Sequence, residues 1–140
     1  MARETQARPA LRERLGKWDA SRAGDLVGVK TQDVPDGSTA GNDVEADPEA
    51  NLHVSREATD AHAFVGLDLT DEAVQPIPHT FKRSAAATEV TTITLAQPID
   101  GNTSYTLDTA GAAITVMPVV GSPTPAWELV AAIGTVTAVP

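Results

Sequence analysis

A chain of 140 residues has room for about one domain, and the material for its core is limited because 23 residues are alanine and only 4% are aromatic. It contains no cysteine, which excludes a disulfide scaffold and a thiolate metal site. No stretch approaches the roughly 20 apolar residues of a membrane-spanning helix, and residues 1–30 lack the hydrophobic run of a secretory signal. We therefore expect a protein made in a cytoplasm and kept or assembled there.

The net charge of −9 is unevenly distributed along the chain. Residues 1–30 hold seven bases and four acids, residues 31–75 hold one base and eleven acids, and residues 76–140 hold two bases and four acids. Such asymmetry predicts that the three parts contact different surroundings.

The basic first part, residues 1–30, contains the segment RPALRERLGKW, which predicts one short amphipathic helix. Its large apolar side chains recur at helical spacing and its bases flank them, so we expect this tag to bind a partner through Leu11, Arg12, Arg14, Leu15, Lys17 and Trp18. A helix this short is marginal in water and forms when its stripe is buried, on this chain or on a partner protein. Three large apolar residues are too few for a membrane, and the bases too few for nucleic acid.

The second part, residues 31–51, mixes proline, glycine, serine, asparagine and acids. Val34 and Val44 are its only sizeable apolar side chains, so burial contributes little toward ordering its backbone. The composition predicts an acidic linker, or an extended arm laid over a basic partner surface.

The third part, residues 52–140, has the composition of a β-domain. Twelve of the 17 threonines lie from Thr80 onward, among valines, isoleucines and short Gly/Pro/Asn/Asp segments. Alternation predicts a hairpin around the turn at 100–102, further strands over 112–120, 127–133 and 135–139, and two upstream strands over 51–56 and 61–69. Residues 55–63 alternatively hold one short helix. The predicted fold is a mainly β, small antiparallel sandwich or barrel preceded by the N-terminal arm and helix.

Charge is nearly absent from the C-terminal stretch, where Glu128 is the only charged residue between Thr109 and Pro140. Such a stretch is expected inside a sheet. It is also typical of an assembly surface, since a free apolar edge strand templates aggregation unless a partner covers it.

No set of residues in the sequence predicts catalysis or metal binding. The three histidines show no metal-ligand spacing, and the one cluster worth naming is His62 with Glu57 and Asp60. Lys82 and Arg83 form a basic pair that we predict to bind an acidic group of another chain. We therefore expect no enzyme activity, no metal and no cofactor.

The layout of a basic tag, the acidic segment DVPDGSTAGNDVEADPE and a hydroxyl-rich β-domain ending in TVTAVP resembles the small structural proteins of tailed-bacteriophage heads, of the decoration or cement kind. The resemblance spans the whole chain and is one of layout and composition. It implies a homo-oligomer on the exterior of the virion, made in the host cytoplasm, that binds the major capsid protein or another virion protein and stabilises the capsid lattice. The arm would let the protein contact distant points on the capsid, because about 20 residues extend up to roughly 65–70 Å.

Two alternatives remain open from the sequence. One is another virion part, such as a head-fibre base, a tail-tube subunit or a head-to-tail joining protein. The other is a ligand-binding β-module, for example one that binds carbohydrate, which would need a surface platform of aromatic side chains.

Overall fold

We describe a computed structural model of the chain, in which residues 30–74, 76–119 and 123–140 are described. These residues form ten strands, which confirms a mainly β fold: β1 Thr31–Val34, β2 Val44–Glu45, β3 Leu52–Ser55, β4 His62–Val65, β5 His79–Arg83, β6 Thr91–Thr94, β7 Ser104–Leu107, β8 Ala113–Val119, β9 Ala126–Ile133 and β10 Val136–Val139. The predicted tag helix over residues 8–18 lies outside the described residues.

The strands divide into two five-stranded sheets. The first sheet has the order β1-β3-β5-β8-β9, and the second has the order β10-β7-β6-β4-β2. Up to β6 the chain alternates between the sheets, so that each odd-numbered strand is followed by its even-numbered counterpart in the other sheet. The two sheets pack face to face around one apolar core.

In this first half of the domain every ladder is parallel: β1 with β3, β3 with β5, β2 with β4, and β4 with β6. Parallel neighbours need a crossover connection, and here a strand of the opposite sheet supplies it in place of the usual helix. The first six strands therefore form a two-sided coil of three turns. The purely antiparallel pairing predicted from the sequence is therefore wrong for these strands. Side chains alternate in the same way in parallel and antiparallel strands, so the alternation could not distinguish the two pairings.

The second half of the domain is antiparallel and matches the predicted elements closely. The hairpin around residues 100–102 is confirmed as β6 paired with β7, and the predicted C-terminal strands are confirmed as β8, β9 and β10. The turn itself places Asp100 and Gly101 at φ values of 49° and 78°, a backbone region that glycine adopts readily. The sheets are mixed because these antiparallel strands continue the parallel ones.

Residues 31–51, predicted to be a linker or arm, instead contribute β1 and β2 to the two sheets. Their order comes from backbone hydrogen bonds more than from apolar burial: Ala46 N donates to Val65 O at 2.8 Å, and Arg56 N donates to Val34 O at 2.9 Å. Residues 55–63, the alternative short helix, are the end of β3, an irregular connection and the start of β4.

The core is built around the aromatic side chains of the sandwich. Phe64, Phe81 and Trp127 are almost completely buried, as are Ile93, Ile99, Leu107, Ile114 and Val116. Trp127 therefore lies in the core, as its alternation with Leu129 predicts. In the parallel half, residues in register stack on one another, so that the ring centroids of His53 and Phe81 are 4.5 Å apart and the two ring planes are nearly parallel.

Candidate assembly surface

One end of the sandwich exposes an apolar surface in which Glu128 is the single charged residue of its two edge strands, β9 and β10. We call it the β9–β10 edge and define it by Leu129, Val130, Ile133, Val136 and Val139. Val130 is 51% exposed, Ile133 66% and Val139 39%, while Leu129 and Val136 are partly buried against the core. Soluble proteins protect free edges with charges, prolines or bulges, and this one carries no charge after Glu128.

A tight turn holds β9 and β10 at the same end of the molecule. Only Gly134 and Thr135 separate the two strands, which belong to different sheets. Gly134 has a φ of 76°, and a Cβ there would approach the Cα of Ala112 to 3.0 Å. Both the positive φ and the lack of space for a Cβ favour glycine at this position. The short turn therefore places the two edge strands next to each other.

The beginning of β9 is not free. Trp127 N donates to Pro98 O at 3.1 Å, and Asp100 N donates to Trp127 O at 2.9 Å, so the segment before the β6–β7 turn covers the strand there. Farther along, a shift in register against β8 leaves Val130 as an extra residue between Leu129 and Ala131, as in a β-bulge. The bulge gives β9 some protection against added strands. β10 is regular over its four residues against β7, and within the described part of the chain no bulge or covering segment protects it.

The opposite end, formed by the edge strands β1 and β2, is acidic. Exposed carboxylates lie on both strands and on the segments beside them: Asp33, Asp36, Asp43, Glu45 and Glu49. The Gln32 side chain crosses between the sheets here: its amide donates to Glu45 O at 2.8 Å, and its oxygen accepts from Asp47 N at 3.0 Å. This end is held together by polar contacts.

Glu57 anchors the connection between β1 and β2. Its side chain is fully buried, and its carboxylate accepts hydrogen bonds from Gly37 N at 2.8 Å and Thr39 N at 2.9 Å. The hydrogen bond from Gly37, with that from Thr39, lowers the pKa of Glu57 to about 2 against the opposing effect of burial. The residue is thus a structural carboxylate whose oxygens already have partners.

The predicted basic pair lies in β5, with its two side chains on opposite faces. Lys82 is exposed, whereas Arg83 is buried and donates from Nε to Ala87 O at 3.2 Å and from Nη1 to Leu107 O at 3.1 Å. The structure therefore brings the Arg83 guanidinium to backbone carbonyls inside the domain, and partner binding by Lys82 stays a prediction. The other predicted binding residues lie outside the described residues: Leu11, Arg12, Arg14, Leu15, Lys17 and Trp18.

All three histidines are buried. Nδ1 of His53 is 2.7 Å from the Gln32 side-chain oxygen, and its Nε2 is 3.4 Å from Nδ1 of His79. Burial, followed by the nearby His79, lowers the pKa of His53 to about 3, so this ring is neutral in the folded protein. Gln32 is the residue that joins this pair to the acidic end.

His62 is the histidine that the sequence groups with Glu57 and Asp60. Burial lowers its pKa, although Glu57 and Asp43 favour its charged form. Neither ring nitrogen has a hydrogen-bond partner among the described residues. No group of three or more histidine, aspartate or glutamate side chains in that part of the chain is arranged to hold a metal ion.

Three exposed residues of the β9–β10 edge, Val130, Ile133 and Val139, were not among the predicted site residues. Their signal in the sequence is the stretch after Thr109, in which Glu128 is the only charged residue and which fits an internal strand equally well. Only the strand order, which puts β8 inside the first sheet and β9 and β10 at the edges, separates the two interpretations.

Comparisons of the chain with protein-family models, with curated proteins and with solved structures give no match. Among the described residues, no helix has the length and apolarity required to cross a membrane.

Proposed function

We propose that this chain is a non-enzymatic structural protein of a virus particle, which binds the capsid exterior and stabilises the capsid lattice. The observation that carries the proposal is the β9–β10 edge, where Val130, Ile133 and Val139 stand exposed and no charged residue follows Glu128. An apolar strand edge of this kind is stable in solution when another protein covers it. A subunit of an assembly meets that condition.

The division of charge also supports a role in assembly. The acidic β1–β2 end keeps the protein soluble and repels other acidic surfaces, whereas the uncharged end permits contact. We propose that the basic N-terminal tag provides the second contact, through Leu11, Leu15 and Trp18 with their flanking bases. Two linked contacts make the later one intramolecular, so individually weak contacts become collectively strong.

A carbohydrate-binding module finds less support. Such a module uses exposed aromatic side chains as a platform, but Phe64, Phe81, Tyr105 and Trp127 are buried, and these are all the Phe, Tyr and Trp residues in the described part of the chain. The exposed β9–β10 edge would equally suit another part of the virion, such as a head-to-tail joining protein. The experiment below distinguishes that role from binding to the capsid exterior.

The experiment is a binding assay on virus particles made from the genome that encodes this chain, with its gene deleted. Purified full-length protein is added, the particles are sedimented, and the bound protein is quantified and located by electron cryo-microscopy. We expect saturable binding at regular positions on the capsid and slower release of the genome on heating. Density only at a vertex, a fibre or the tail would assign another virion part.

Two variants and a control identify the surfaces used. Trp18→Ala removes the largest apolar residue of the tag, and Ile133→Lys places a charge on the β9–β10 edge. Ile77→Lys is the matched control, because Ile77 is also an exposed isoleucine, at 36%, but lies away from that edge. Lack of binding by the unmodified protein, together with its absence from particles made by the intact genome, would overturn the proposal.

A further inference from the structure

We propose that the β9–β10 edge binds a second copy of this chain, with β10 of one copy pairing antiparallel with β10 of the other across a two-fold axis. The inference deepens the proposed function, on which it rests, by naming the first partner of the edge. It would join the second sheets of two sandwiches into one ten-stranded sheet. Val130 and Ile133 of the neighbouring β9 would pack beside the new ladder.

The choice of β10 over β9 follows from how the two strands are protected. The beginning of β9 is hydrogen-bonded to the segment at Pro98 and Asp100, and the extra residue Val130 interrupts its regular ladder. β10 pairs in regular register with β7 on one side, and on its other side no strand of the described residues pairs with it. Its residues, VTAV, include no charge and no proline, so its outer backbone groups suit an added strand.

The distribution of charge between the two ends favours a second copy of this chain as the partner of the β9–β10 edge. Pairing β10 with β10 brings together two strands that hold no charged residue of their own, although the Asp108 carboxylate beside them accepts a hydrogen bond from Thr137, and it leaves both acidic ends in water. Pairing the β9–β10 edge with the β1–β2 end would instead bring Asp33 and Glu45 toward an apolar surface, which costs desolvation of their carboxylates. Pairing two β1–β2 ends would oppose like charges.

Which ends pair also decides whether association stops at a dimer or continues. A contact of one edge with itself is isologous and stops at two copies, whereas a contact of one end with the other is heterologous and continues into a filament. The acidic end therefore limits growth, and the uncharged end drives association. A closed pair also presents two N-terminal tags to a lattice, which strengthens binding through a higher effective concentration.

The first test measures the mass of the full-length protein by light scattering after size-exclusion chromatography over a range of concentrations. We expect twice the 14.5 kDa of one chain. Val139→Lys should weaken the dimer about tenfold or more, because a charged lysine on an edge strand opposes pairing with another strand. Val90→Lys is the matched control: this valine is 38% exposed, against 39% for Val139, but lies outside the edge. Circular dichroism verifies that both variants are folded.

The second test measures distances between copies, using the fact that the natural chain has no cysteine. Spin labels are attached to Ala138→Cys in β10 or to Glu49→Cys near the acidic end, one label per chain. We expect a short separation between labels at 138 and a much longer one at 49. A monomer at all concentrations, an open series of larger species, or equal separations would overturn the inference. Particle binding by a protein that stays monomeric would overturn this inference alone and leave the proposed function standing.

Discussion

The two ends of the sandwich differ in the side chains that line their edge strands. At the β1–β2 end, carboxylates line the edge, the Gln32 amide joins the two sheets, and the buried Glu57 carboxylate holds the connection between the strands. At the β9–β10 end, no charge follows Glu128, and valine and isoleucine side chains stand exposed. The first end forms hydrogen bonds within the chain through Gln32 and Glu57. The second exposes an apolar surface that association would bury.

It follows that the two ends of the sandwich are stabilised by different interactions. Hydrogen bonds to a buried carboxylate are strong individually and fail when the charge is lost. Apolar packing is distributed over many contacts and fails when a large side chain is removed. Substitutions at Trp127, Glu57 and Arg56 therefore separate the contributions, with effects that decrease in that order.

The largest effect is expected for Trp127→Ala, at the uncharged end. Trp127 is 1% exposed and is the one aromatic residue of β9, where it contacts His79 with ring centroids 5.6 Å apart. Truncation should lower the free energy of unfolding by about 3–5 kcal/mol, measured by urea denaturation. Leu129→Ala, at a partly buried position of the same strand, serves as the control and should cost about 1–2 kcal/mol. Equal losses at the two positions would show that β9 is not anchored at its beginning.

The next effect is expected for Glu57→Gln, at the acidic end. The amide keeps the size of the side chain but offers only one acceptor oxygen to the N–H groups of Gly37 and Thr39, so one donor loses its partner. We expect the Tm near neutral pH to fall by several degrees. Glu72→Gln, which changes an exposed carboxylate, should leave the Tm nearly unchanged.

The pH dependence of that difference gives a second measure. The pKa of Glu57 is about 2 in the folded protein, below its ordinary value of 4.5. The stabilising contribution of its ionised form is therefore complete above about pH 4.5 and is lost as the pH falls toward 2. The Tm of the natural protein should approach that of Glu57→Gln over this window. A constant difference down to the lowest pH would contradict the role of the charge.

The sequence predicted the antiparallel half of the fold much better than the parallel half. From β6 to β10 the strands are separated by turns of recognisable composition and alternate clearly between apolar and polar residues. The strands β1 and β2 have only Val34 and Val44 as large apolar residues, and they are ordered by parallel ladders to distant strands and by Gln32. Local composition does not contain those long-range contacts, which is why residues 31–51 resembled a linker.

The candidate site was predicted in part, for a related reason. The scarcity of charge after Thr109 is visible in the sequence, but whether such a stretch lies inside a sheet or at its edge depends on strand order. β8, with its buried Ile114 and Val116, and β10, with its exposed Val139, share the same uncharged composition. Likewise, nothing in the pair Lys82-Arg83 shows that one side chain is exposed and the other is directed to Leu107 O.

The smallest effect is expected for Arg56→Ala, which removes the ion pair with Asp33 at the acidic end. The two groups are 2.8 Å apart, and both side chains are about half exposed, so water and salt weaken their attraction. We expect a loss of about 0.5 kcal/mol in urea denaturation at low salt, and less at about 1 M salt. A loss greater than about 1 kcal/mol would mean that this pair, and not Gln32 and Glu57, holds the acidic end. A small loss would leave the hydrogen bonds of those two residues as the main source of stability at this end.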